Sequence, residues 1–182
     1  MLSLSTFFTG APGSKWSGIA QQIEAMDSNW DISDRTPERE YNHGEYSGHK
    51  GVYFGTGMEF PADPAEGGLD RDNLDAPYTD NTGTKLIMSH EWPYYFNEII
   101  SRYPEAWIQL VYRSDWASFL WWKRAGGFDI TYPNYDWYET DYLMTKRIEE
   151  QNKLILDFGQ RHMLKWIQHS KHEDIFIATY KP

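Results

Sequence analysis

The chain contains no cysteine. That excludes a disulfide framework, a thiolate metal site and a cysteine nucleophile, and makes a reducing cytoplasm the default compartment. No apolar run approaches the roughly 18 residues that would suggest a membrane span, so no membrane partner is expected. Met1 to Gly10 lacks a basic leading stretch and is not expected to act as a signal peptide. Positive charge is also scarce: 17 Lys and Arg face 27 Asp and Glu, for a net charge of −10. A broad basic face for nucleic acid is therefore not expected. A small anion site stays open, because a few backbone N–H groups suffice to build one.

Aromatic side chains are abundant instead. They make up 17% of 182 residues, with 9 Trp and 13 Tyr, which excludes a disordered chain. Mean hydropathy is nevertheless −0.71, so a few short apolar segments capped by large rings must form the core. Ser3 to Thr9 reads as a buried strand running into Gly10-Ala11-Pro12-Gly13-Ser14. Trp16, Ile19, Ala20, Ile23 and Met26 then recur at helical spacing. From about 31 to 84 the pattern weakens into a long polar excursion, unusual within a compact domain; within it, Val52 to Gly55 is a candidate strand. Leu86 to Ser89 reads as a strand ending at His90, followed by a helix over Trp92 to Ile100 with Pro93 in its first turn. Ala106 to Tyr112 is a strand ending at Arg113. Asp115 is a candidate cap for the next helix, which Gly126-Gly127 ends. An aromatic loop, Tyr132 to Tyr138, precedes a long helix over about Asp141 to His169, and Ile175 to Thr179 is a last strand.

Continuous apolar strands alternating with helices predict one three-layer α/β/α domain over 1–182 with a mostly parallel sheet. Ligands in such sheets sit beyond the carboxyl ends of the strands, where the glycine turn, His90 and Arg113 all fall. Gly10, Gly13 and Ser14 lead into a helix N-terminus, whose N–H groups and dipole suit a phosphate or sulfate; Lys15 and Ser17 can add donors. His90 is a candidate general base, or a histidine tied to a neighbouring loop. Arg113 is a candidate bidentate phosphate ligand, or a partner for a carboxylate. His162, His169 and His172 read as solvated, and no metal is expected. Trp121 and Trp122 read as core residues, with stacking on an adenine as the minor alternative.

Taken in order, these segments resemble the sulfotransferase superfamily of the P-loop fold. Gly10-Ala11-Pro12-Gly13-Ser14-Lys15-Trp16-Ser17 is similar to its 5′-phosphosulfate loop. Met88-Ser89-His90 is similar to its strand ending Lys-Thr-His, and Val111-Tyr112-Arg113-Ser114-Asp115 to its arginine-ended strand. The resemblance implies a P-loop NTPase-like fold and an enzyme that transfers a sulfuryl group from PAPS (3′-phosphoadenylyl sulfate) to a hydroxyl or amine of a small molecule or glycan. Gly10, Pro12, Gly13, Ser14, Lys15, Trp16 and Ser17 would hold the phosphosulfate, with Lys15 also catalytic. Arg113, with Ser114 or Ser118, would hold the 3′-phosphate, and His90 would deprotonate the acceptor without a metal.

The chain departs from the family pattern at Gly13, Met88 and Trp121, where the family carries a basic residue, a lysine and a serine. Gly-Ala-Pro-Gly-Ser also resembles the phosphate loop of adenylate-kinase-like enzymes, with Lys15 on phosphate and Ser17 on magnesium, although no candidate strand ends in the aspartate that magnesium chemistry uses. A P-loop kinase, and a degenerate domain that binds a nucleotide or protein without transfer, are the two alternatives.

Overall fold

The structure is a computed structural model that describes residues 5–43, 46–80, 82–127, 137 and 139–182. Ser3 and Leu4 of the expected first strand lie outside the described residues. So does the aromatic loop, apart from Trp137.

Five strands form one sheet: β1 (Thr6–Gly10), β4 (Leu86–Met88), β5 (Trp107–Arg113), β6 (Ile167–His169) and β7 (His172–Tyr180), in the order β4-β1-β5-β7-β6. The first three run parallel, with Phe8 beside Met88 and Gly10 beside Val111. β7 is antiparallel to β5, pairing Arg113 with Ile175, and β6 turns back along β7.

Strand alternation sends Phe7 and Phe8 to opposite faces. Phe7, Ile87, Ile108 and Leu110 pack under α3 (Phe96–Arg102) and α5 (Asp141–Arg161), through Phe96, Ile99, Ile155 and Phe158. Phe8, Leu86, Met88 and Val111 pack under α1 (Trp16–Met26), through Trp16, Ile19 and Ala20. Helices thus lie on both faces, which is why every residue of β1 is buried. α4 (Asp115–Arg124) rests on α5, and Trp122, Met144 and Ile148 enclose Ala11.

The excursion packs into the body of the fold. It holds a hairpin, β2 (Glu40–His43) and β3 (Tyr46–Lys50), and a short α2 (Arg71–Asp75). It also gives Val52, Phe54, Leu69, Leu74 and Tyr78 to the main core. Burying each such side chain contributes about 1.5–3 kcal/mol, enough to order a glycine-rich and acidic stretch. Val52 to Gly55 is not a strand; Phe54 makes only a single bridge, to Phe60. A buried charge cluster pins the segment to α1: Arg35 pairs with both Asp34 and Glu24, and Asp34 accepts the Val52 N–H at 2.8 Å.

Other boundaries shift for local reasons. Ser114, not Asp115, caps α4 by accepting the Ala117 N–H at 3.4 Å. Trp92–Tyr95 is a 3-10 turn before α3. α5 stops at Arg161, eight residues before the expected end. Met163 takes a left-handed conformation (φ 50°) and donates to Gln160 O at 3.1 Å, while Leu164 donates to Gly159 O at 2.8 Å. This is a Schellman ending with methionine where glycine is usual, so the sequence carries no stop signal there. His169 therefore lies on β6 and stacks on His172 across the turn, with ring centroids 5.3 Å apart.

Candidate functional site

The glycine turn joins β1 to α1 at the carboxyl edge of the parallel strands. Gly13 is left-handed (φ 76°), and a Cβ there would collide with the Ser118 carbonyl of α4. At Gly10 a Cβ would come within 2.6 Å of Ser14 Oγ and Trp16 Cβ. Gly13 is thus required by the close approach of the α4 backbone, and Gly10 by the side chains of Ser14 and Trp16. Pro12 and Ser14 are buried, and Trp16 turns into the core against Phe8, His49 and Tyr53, leaving its N–H as its contribution to the loop.

Lys15 is also left-handed (φ 63°) and precedes α1 without capping it through its side chain. The first N–H groups of α1 therefore lack both an intrahelical acceptor and a side-chain cap. The hydroxyls of Ser14 and Thr9, both fully buried, have no hydrogen-bond partner among the described residues. Ser17 is half-buried at the start of α1.

The Lys15 ammonium lies 4.0 Å from the centre of the Trp121 ring. Trp121 is thus not a core residue, unlike Trp122, which is 3% exposed. Burial lowers the Lys15 pKa from its ordinary value, and the Arg113 and Arg124 charges add to that against the opposing pull of Asp174. The same charges reach His172, whose pKa falls through burial first and then through Lys15 and His169. Lys15 and Arg113 therefore share the Asp174 carboxylate, with Arg124 adding its charge at Lys15, a local excess of positive charge on an acidic protein.

Arg113 touches the turn directly. Its Nη1 donates to Gly13 O at 3.3 Å, and its guanidinium pairs with Asp174 at 2.6 Å. Burial pushes the Asp174 carboxyl up, but the Arg113 hydrogen bond and charge outweigh it and hold the pKa below the usual range. The Arg113 carbonyl accepts from Ser118 Oγ at 3.2 Å and from Asn152 Nδ2 at 2.8 Å. Ser118 and Ser114 are thus both engaged within the protein, one on the Arg113 main chain and one as a helix cap.

His90 follows β4 and is 5% exposed. Its Nδ1 lies 3.0 Å from Gln151 Nε2, its N–H donates to Tyr53 OH at 3.4 Å, and Trp137 stands edge-on at 5.1 Å. Burial, and then the Arg147 charge, hold its pKa well below the ordinary value, so the imidazole is neutral at pH 7. Arg147 lies over Tyr94 and Trp137 and pairs with Glu91 at 3.5 Å.

Two adjacent α5 side chains link the expected groups: Gln151 meets His90 and Asn152 meets Arg113, which itself meets Gly13. The structure thus brings the turn, His90 and Arg113 to one rim. Glu91, Arg147 and Asn152 were not singled out from sequence. Gln151 carried a readable signal, being polar on a helix stripe between Ile148 and Ile155. Among the described residues, no three His, Asp or Glu side chains cluster to hold a metal, and no helix is long and apolar enough to cross a membrane.

Compared with known proteins, the chain matches no family model, no curated protein and no solved structure.

Proposed function

We propose that the Gly10–Ser17 turn binds the phosphate or phosphosulfate of a nucleotide, and that the chain is a PAPS-dependent sulfotransferase of P-loop type. The uncapped start of α1 carries this reading, since it holds a buried, unpartnered Ser14 hydroxyl beneath the Lys15 and Arg113 charges. An oxyanion there would accept from the loop N–H groups and from Ser14, and would relieve the repulsion between two cations. Arg113 would take the 3′-phosphate by exchanging Asp174. That carboxylate is half-exposed, and pairs of that kind contribute only about 0–1 kcal/mol.

In the transfer step the acceptor oxygen or nitrogen attacks sulfur, the bond from sulfur to the PAP phosphate oxygen breaks, and the acceptor proton passes to neutral His90. PAP (3′-phosphoadenosine 5′-phosphate) leaves with the bridging oxygen. Lys15 would balance charge on that oxygen.

A second reading is a nucleotide-binding domain without transfer. It draws on Met88, which is 1% exposed and packed in the core, so the position where the resembled family carries lysine offers no cation here. A kinase is the third.

Thermal-shift measurements separate them. A rise in melting temperature with PAP in the absence of magnesium, together with sulfated product from PAPS, supports the sulfotransferase. A rise with PAP but no product with any acceptor panel supports the binder. Stabilisation by ATP and magnesium alone supports the kinase. No response to any nucleotide overturns the anion site.

A further inference from the structure

The sheet is covered unequally. On the α5 side, Phe158 and His162 pack on Tyr180, and Trp166 packs on Tyr112, so β7 is roofed. On the opposite side α1 covers β1, its neighbours and the Ile175 end of β7, with Ile177 at the edge of that packing, but among the described residues no helix covers β6 or the Thr179 end of β7. An open groove of about 860 Å³ occupies that position.

Its floor is the outward row of three strands. Register places Gln109 beside Thr179, Val111 beside Ile177, and Ile177 beside Ile167. Its wall is one stripe of α1: Ile19, Gln22, Ile23 and Met26, at helical spacing. The stripe starts buried and ends with Met26 86% exposed, facing a strand whose Ile167 is 61% exposed. From β5 to β6 is two strand spacings, about 9.6 Å, close to the diameter of one helix.

The charge on the rim is equally one-sided. Lys165, Lys171 and Lys181 line the groove with His169, and no acidic residue lines it. Among the described residues, none of these three lysines has a salt-bridge partner; Lys181 instead lies over the Trp107 ring at 3.9 Å. On a chain of net charge −10 this concentrates positive charge beside apolar surface.

We infer that this groove docks an acidic amphipathic helix from a partner protein. The helix would lie beside α1 as the missing member of that layer, its apolar stripe on Ile23, Met26, Ile167 and Ile177. Its carboxylates would meet the three lysines, which favours an acidic partner and disfavours a basic one. The groove is about one helix wide, which favours a single helix over a flat membrane surface. The inference is independent of the nucleotide reading, because the groove and the Gly10–Ser17 turn share no residue.

The test uses the full chain and a displayed library of random peptides, about 16 residues each, long enough for four helical turns. Enriched peptides should be acidic with apolar residues at helical spacing, should gain helical circular dichroism on binding, and should bind by fluorescence anisotropy. Lys165→Glu, Lys171→Glu and Lys181→Glu combined should weaken them about tenfold or more. These exposed changes should leave the melting temperature near wild type, and Ile167→Asp provides a second disruption through the apolar floor. No enrichment, enrichment of basic or uncharged peptides, or affinity indifferent to both variants would overturn the inference. So would light scattering showing that the groove is closed by a second copy, with dissociation on Ile167→Asp. Binding only to anionic phosphatidylserine vesicles would overturn it as well.

Discussion

Arg113 reaches back a hundred residues to donate a hydrogen bond to the carbonyl of Gly13, at 3.3 Å. The same guanidinium pairs with Asp174 near the start of β7, so the last strand sets the charge felt by the turn after β1. The anion site, as proposed, therefore has a built-in competitor.

Asp174→Asn should strengthen PAP binding by up to about fivefold, the equivalent of removing one half-exposed pair. Arg113→Ala should weaken PAP far more than AMP, which lacks the 3′-phosphate. Isothermal titration calorimetry reads both. Weaker PAP binding by Asp174→Asn, or equal losses of PAP and AMP on Arg113→Ala, would remove Arg113 from its role.

Gly13→Ala should destabilise the protein by about 1–3 kcal/mol. The new methyl meets the Ser118 carbonyl, and the left-handed backbone disfavours any side chain. Urea unfolding measures the loss. A neutral result would mean that α4 gives way without cost.

The His90 ring should stay neutral through pH 6.5 and titrate well below it, because burial and Arg147 both oppose the imidazolium. The unfolded chain then binds more protons than the folded one below pH 6.5, so this group's stabilisation is lost as pH falls through the folded pKa. Imidazole NMR shifts follow the titration, and Arg147→Met should raise the midpoint. For the proposed transfer, His90→Ala should retain PAP affinity and lose turnover; unchanged turnover would end its role as base.

Glu24 has the opposite slope. Burial raises its pKa to about 7, with Arg35 pulling down and Asp34 pushing up. The folded protein then holds the extra proton, so this contribution is complete below pH 4.5 and disappears as pH rises through about 7. Glu24→Gln should flatten the stability profile between those values, as read by melting temperature against pH. An unaltered slope would show that Glu24 is ionised throughout.

Met163→Gly should stabilise the chain by about 1 kcal/mol, because glycine occupies the left-handed position without a Cβ penalty. Differential scanning calorimetry would detect the change, and a lower melting temperature would mean that the exposed methionine side chain has packing that offsets the strain.

The parallel half of the fold was legible because its signals are local. Apolar runs at Phe7-Phe8, Leu86 to Met88 and Trp107 to Val111 mark strands, and Gly10, His90 and Arg113 follow their ends. The core contribution of the excursion was not legible because its buried residues, Val52, Phe54, Leu69, Leu74 and Tyr78, are spaced without period and placed by turns. The β6 strand was hidden because Trp166 and His169 continue the 3-and-4 spacing of Ile155, Phe158 and His162, and only the conformation of Met163 breaks the helix. At the site, residues at strand ends could be named from order alone. Asp174, Arg147 and Asn152 could not, since their relevance exists only once β7 and α5 pack beside β5.

β7 runs against its parallel neighbours, so its first residues sit beside Arg113 while Tyr180 sits beside Ile108 at the far end. Polypeptide continuing past Pro182 departs from the end of the sheet remote from Gly10 and His90. A fluorophore or immobilisation handle attached there would leave the turn unobstructed for ligand studies.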